Sequence, residues 1–153
     1  MTSILVYGYG NPGRQDDGLG PALVSELEVW LTVNPDRRIT LDSNYQLNAE
    51  DALAVSGHDG VIFVDATQAG EAPYEFRSLV PEKTIAFSTH AMTSATVLAL
   101  CEELYDKHPA AWILTIRGYS WELNANLTPE ASANLVAASE FIKLHLSRLC
   151  DTL

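Results

Sequence analysis

The stretch Ile4-Leu-Val-Tyr-Gly-Tyr-Gly-Asn-Pro-Gly-Arg-Gln-Asp-Asp-Gly-Leu-Gly20 changes its rhythm halfway, and that change sets the fold class. Residues 4–9 are apolar and β-prone, and they end on Gly10-Asn-Pro-Gly13, a cluster that turns the backbone. From Leu19 the apolar spacing becomes helical: Leu19, Leu23, Leu27 and Trp30 fall on one stripe. Asp16 or Asp17 stands where a helix cap is expected, and Pro21 is tolerated in a first turn. The unit is a strand, a glycine-rich turn and a helix.

The same alternation continues outward. Residues 39–41 read as a second strand, 48–55 as a weak helix, and 60–65 as an unbroken apolar strand that stops on Asp65. Residues 73–77 form an edge strand, because Pro73 excludes a central one, and 84–88 form a short extended run before His90. Val97, Leu100, Cys101 and Leu104 mark a third helix, and 112–117 a β-branched strand. In Thr128-Pro-Glu130 a cap, a first-turn proline and a first-turn acid open the last helix, whose stripe is Ala131, Leu135, Ala138, Ile142, Leu146 and Leu149. Strands apolar on both faces, alternating with helices, require a covered sheet. The expected fold is an α/β three-layer sandwich, a mostly parallel twisted sheet with helices on both faces, as a single domain over residues 1–153.

Composition narrows the function. The chain of 153 residues is 47% hydrophobic and 19% charged, enough to bury a core. Nine Lys and Arg face 20 Asp and Glu, a net charge of -11 that repels nucleic acid and anionic lipid. Cys101 and Cys150 lie far apart with no Cys-x-x-Cys pair, so they make no zinc site, and Cys101 reads as a small buried hydrophobe of a reducing compartment. The N-terminus lacks a basic leader and no apolar run reaches membrane-spanning length. A cytoplasmic location is expected, with neither membrane nor nucleic acid as partner.

In folds of this class ligands lie beyond the carboxyl ends of the strands. Asp16 and Asp17 follow the first strand, Asp65 ends the third, and His90 follows the run at 84–88. Two carboxylates and an imidazole suit a divalent cation with open positions, or a base with its orienting group. Each also has a plainer role: Asp17 as a helix cap, Asp65 as a loop cap, His90 as a hydrogen-bonded structural residue. Gly8, Gly10 and Gly13 satisfy Gly-x-Gly-x-x-Gly, and Asp42 stands where a ribose-binding acid would. Asp16 and Asp17, however, would repel a pyrophosphate at that helix mouth. No Gly-x-Ser-x-Gly elbow occurs, and neither cysteine neighbours a histidine. His58, His108 and His145 are expected in solvent, and Tyr119 and Trp121 in a loop that lines a pocket or packs.

The opening stretch resembles that of the [NiFe]-hydrogenase maturation endopeptidases, in which a strand runs into Gly-Asn, an acidic pair, a glycine and the first helix. Val61-Ile-Phe-Val-Asp-Ala66 is similar to the family's apolar strand ending in Asp, Ser88-Thr-His-Ala-Met92 to its Ser-x-His loop, and Leu127-Thr-Pro-Glu130 to the start of its last helix. The resemblance implies an aspartic-type endopeptidase that removes the C-terminal extension of a nickel-loaded hydrogenase large-subunit precursor. It places metal contacts on Asp17, Asp65 and His90. Nickel would arrive with the substrate, and Zn²⁺ or Cd²⁺ could replace it in the free protein. With no Ser or Cys nucleophile in view, water is the expected attacking group, with Asp16 the nearest unligated acid for proton transfer. Two alternatives stand beside this: a nickel-binding chaperone that uses the same triad without cleaving, and a hydrolase like the bacterial peptidyl-tRNA hydrolases, whose opening Gly-Asn-Pro-Gly is shared. The second lacks its histidine here, since Gln15-Asp-Asp-Gly18 occupies that stretch.

Overall fold

In the computed structural model, which describes residues 1–83 and 92–153, five strands join in one sheet. They are β1 (Ile4–Tyr9), β2 (Ile39–Asn44), β3 (Gly60–Thr67), β4 (Tyr74–Ser78) and β5 (Ala110–Arg117). The order is β2-β1-β3-β5-β4, with β1, β2, β3 and β5 parallel and β4 antiparallel to β5 at the edge. Among the described residues four α-helices cover it: α1 (Leu19–Val33), α2 (Asp51–Ser56), α3 (Ser94–Tyr105) and α4 (Pro129–Thr152).

Alternate residues of each central strand feed opposite cores. Ile4, Val6, Ile62, Val64, Leu114 and Ile116 pack with α1 and α4. Leu5, Tyr7, Val61, Phe63, Ala111 and Ile113 pack with α2 and α3 on the other face. Both faces being buried, these strands read as unbroken apolar runs. The three-layer α/β sandwich is therefore as expected.

Several element boundaries differ from those the sequence predicts. β2 runs on through Asp42, Ser43 and Asn44 because their backbones pair with Tyr7, Gly8 and Tyr9, although their side chains are exposed. β3 continues past Asp65 to Thr67 because β5 goes on pairing there after the pairing with β1 has stopped at Gly8 opposite Val64. The buried face of α3 is Val97, Leu98 and Cys101; Leu104, expected in the stripe, is exposed in the last turn. Thr128 caps α4 as expected, accepting from the Ala131 N–H at 3.2 Å. The run expected at 84–88 lies outside the described residues. Cys101 and Cys150 are both free and buried. No described helix is long and apolar enough to cross a membrane.

Candidate active site

The strand order puts a topological switch between β1 and β3: the chain leaves β1 toward β2 on one side and fills β3 and β5 on the other. Loops diverge at such a point and leave a crevice at the carboxyl ends. Asp65 is the first residue of β3 beyond the pairing with β1, and Asp17 lies in the 3-10 segment Pro12–Gly18 that follows β1. The two acids flank that crevice, close enough for the charge of Asp17 to disfavour ionisation of Asp65.

Asp17 is held from two sides. Its Oδ2 accepts the Asn11 N–H at 2.7 Å, and its Oδ1 accepts the Trp121 indole N–H at 3.3 Å. Each carboxylate oxygen keeps a second lone pair for another partner. Gly10, at φ 143°, permits the chain to fold back so closely that Asp17 overlies it. Gln15, at φ 51° and ψ −114°, kinks the segment just before the acidic pair.

Asp65 accepts the Ala66 N–H at 2.8 Å, with the Tyr9 hydroxyl beside it. Burial pushes its carboxyl up to about 7; these two hydrogen bonds oppose the rise, and the charge of Asp17 adds to it. The Tyr9 hydroxyl is itself raised, first by burial and then by the charge of Asp65.

Asp16 and Asp17 do not cap α1. The position before that helix is Gly18, which makes no side-chain cap. Asp16 is instead fully buried, and accepts the backbone N–H of Tyr119 at 2.7 Å, of Ser120 at 3.2 Å and of Thr128 at 2.8 Å, together with the Thr128 hydroxyl at 2.8 Å. Burial raises its pKa, but these donors more than offset that and hold the carboxyl below its usual range. A carboxylate enclosed by donors and kept ionised is poorly suited to carrying a proton. Its contacts make it the tie between the 3-10 segment, the loop after β5 and the cap of α4.

His90 lies outside the described residues. Among the described residues no group of three or more His, Cys, Asp or Glu converges as a metal site. Asp17 and Asp65, near enough for their charges to oppose each other, offer oxygen donors whose charge a divalent cation would neutralise, so the residues present fit such an ion. The other histidines are remote. His108 is exposed beside Glu102, as expected, whereas His145 stacks on Phe141 and abuts Phe76, and the half-buried His58 leaves its Nδ1 without a partner among the described residues.

The fold recurs in known structures. HycI, a [NiFe] hydrogenase maturation protease from Thermococcus kodakarensis, superposes with a TM-score of 0.72 at 22% identity, over 92% of this chain and 90% of that one. HybD, the hydrogenase maturating endopeptidase from Escherichia coli, gives 0.76 at 21% identity, over 96% and 93%. An endopeptidase from Escherichia coli gives 0.69 at 24%, over 92% and 90%. The fold is that of the hydrogenase maturation proteases. No family model and no curated protein sequence matches the chain.

Within the maturation-protease fold, the features beyond sequence reasoning are those that position the acids. The sequence puts Trp121 in a loop that packs or lines a pocket; it does line a cleft, and its indole also orients Asp17 across 104 positions. Thr128 signals a helix cap in the sequence, yet its N–H and hydroxyl also hold Asp16, 112 positions away.

Proposed function

We propose that the protein is a peptidase that removes the C-terminal extension from the large-subunit precursor of a [NiFe] hydrogenase after nickel has been inserted. The observation that carries this reading is the approach of Asp17 and Asp65 at the β1/β3 crevice of a fold shared with hydrogenase maturation proteases. His90 is assigned as the third contact on its Ser-x-His motif. The nickel belongs to the substrate, and Zn²⁺ or Cd²⁺ could take its place in the free protein. A cation so bound supplies charge to polarise the scissile carbonyl.

The chain's own groups divide the remaining work. Asn11 and Trp121 fix the carboxylate of Asp17 facing the crevice. Burial raises Asp65 to about 7 in the metal-free protein, but a cation held there would keep its carboxylate ionised as a ligand, so neither Asp65 nor the donor-enclosed Asp16, expected from the sequence to transfer the proton, is suited to that role. Asp16 holds the platform. The two buried free thiols accord with work in the reducing cytoplasm.

The test is to mix the purified protein with a hydrogenase precursor, with and without inserted nickel, and to follow precursor mass. Shortening of the nickel-loaded form alone is expected. Equal cleavage of both forms removes the metal-recognition step, and an unchanged mass in both removes the peptidase and leaves the chaperone.

A further inference from the structure

Beside Asp17 opens a cleft of about 430 Å³ lined by Gln68, Arg117, Tyr119, Ser120, Trp121 and Glu122. Trp121 links it to the candidate site: the side chain that lines the cleft also donates its indole N–H to Asp17. Arg117 is the last residue of β5 and is partly buried. Its Nε donates to the Gly118 carbonyl at 3.1 Å and its Nη1 to the Gly70 carbonyl at 2.8 Å, which fix the guanidinium in place. The Tyr119 ring lies 5.1 Å below it and is itself anchored by the Asn134 amide, which donates to the Tyr119 hydroxyl at 3.1 Å.

These contacts leave Nη2 and one hydrogen of Nη1 without a protein acceptor among the described residues. All acidic residues of the chain are among those described, and none forms an ion pair with Arg117. That is unusual company for a cation in a chain with a net charge of -11. Arg38, by comparison, is engaged by both Asp36 and Asp151. Glu122 lines the same cleft but is exposed, where solvent screens it. A partly buried guanidinium, oriented by carbonyls and faced by an aromatic ring, presents its remaining in-plane hydrogens as a fork for a planar anion.

We propose that this cleft binds a carboxylate of the peptide substrate, with Arg117 as the specificity-determining residue. The assignment deepens the peptidase reading and rests on it for the identity of the ligand as a peptide. The carboxylate comes either from an acidic side chain near the scissile bond or from a chain end.

The probe is an acetylated alanine peptide in three forms: amidated, with a free C-terminal carboxylate, and amidated with a central aspartate. Binding is followed on the Trp121 indole N–H resonance, assigned by Trp121→Phe. At least one carboxylate form should bind about tenfold tighter than the neutral form, the stronger one naming the source. Arg117→Gln should abolish the difference and Arg117→Lys should keep part of it. Equal binding of all three forms to the unmodified protein overturns the proposal, a result available even if Arg117→Gln fails to fold. Selectivity that persists in a folded Arg117→Gln variant overturns it as well. Selectivity as expected, with the hydrogenase precursor left uncut, supports the carboxylate site and fails the peptidase reading alone.

Discussion

At the scale of the residue, neighbouring acids are driven in opposite directions by their surroundings. Asp16 sits among donors, so its carboxylate stabilises the fold at every pH above the unfolded value of ~3.9, and that contribution is lost as pH falls through its depressed folded value. Asp16→Asn turns an acceptor atom into a donor facing donors. It should cost roughly 2–4 kcal/mol near neutral pH and flatten the acid limb of the stability curve, both measurable by urea unfolding across pH. Asp65 is the reverse case. With a folded value of about 7, the native state binds more protons than the unfolded chain between about pH 4 and 7, so stability falls through that window and then levels off. Asp65→Asn keeps the acceptor for the Ala66 N–H and removes the charge. In metal-free protein it should be more stable than the parent at pH 7.5 or so by about 1–3 kcal/mol, with no advantage near pH 4. A constant difference across pH would show that Asp65 is not raised.

At the scale of the element, α1 meets β1 and β3 almost backbone to backbone. A Cβ on Gly20 would lie 2.6 Å from the carbonyl oxygens of both Tyr9 and Val64, and one on Gly8 would strike the Gly20 carbonyl. These glycines, which the sequence offers as part of a nucleotide fingerprint, serve close packing instead. Gly20→Ala should therefore destabilise by at least ~3 kcal/mol or prevent folding, whereas Gly57→Ala, whose nearest foreign atom is 3.5 Å away, should change thermal stability by less than ~1 kcal/mol. Strands apolar on both faces, the Thr128 cap and the proline-marked edge strand were legible because each is written in consecutive residues. Asp17 and Asp65 could be picked out because parallel strands deliver their ends to one rim. The hold of Trp121 on Asp17 and of Thr128 on Asp16 could not be read, since both join residues more than 100 positions apart, and neither a tryptophan nor a capping threonine announces a distant partner. By spacing alone Asp16 and Asp17 are equivalent; it is the loop after β5 that encloses Asp16 in donors, while Asp17 is held by Asn11 and Trp121.

For the whole molecule, charge is the governing quantity. A net charge of -11 repels itself, so sodium chloride should raise the melting temperature as the Debye length shrinks to ~10 Å at about 0.1 M. Divalent ions would do the same by screening alone, so a rise with Ni²⁺ or Zn²⁺ says nothing by itself about a site. The two effects separate once the generic field is screened. At about 0.2 M sodium chloride the diffuse contribution is largely spent, while an ion held between Asp17 and Asp65 still stabilises by mass action, about 2.7 kcal/mol at a hundredfold excess over its dissociation constant. Scanning calorimetry in that salt should show a saturable increase with Ni²⁺ in the unmodified protein. The increase should be absent in Asp65→Asn and in His90→Ala, although both variants should respond to sodium chloride as the parent does. If the Ni²⁺ increase disappears in salt, or survives in Asp65→Asn, the ion is being drawn by the acidic surface at large and the crevice is not its site.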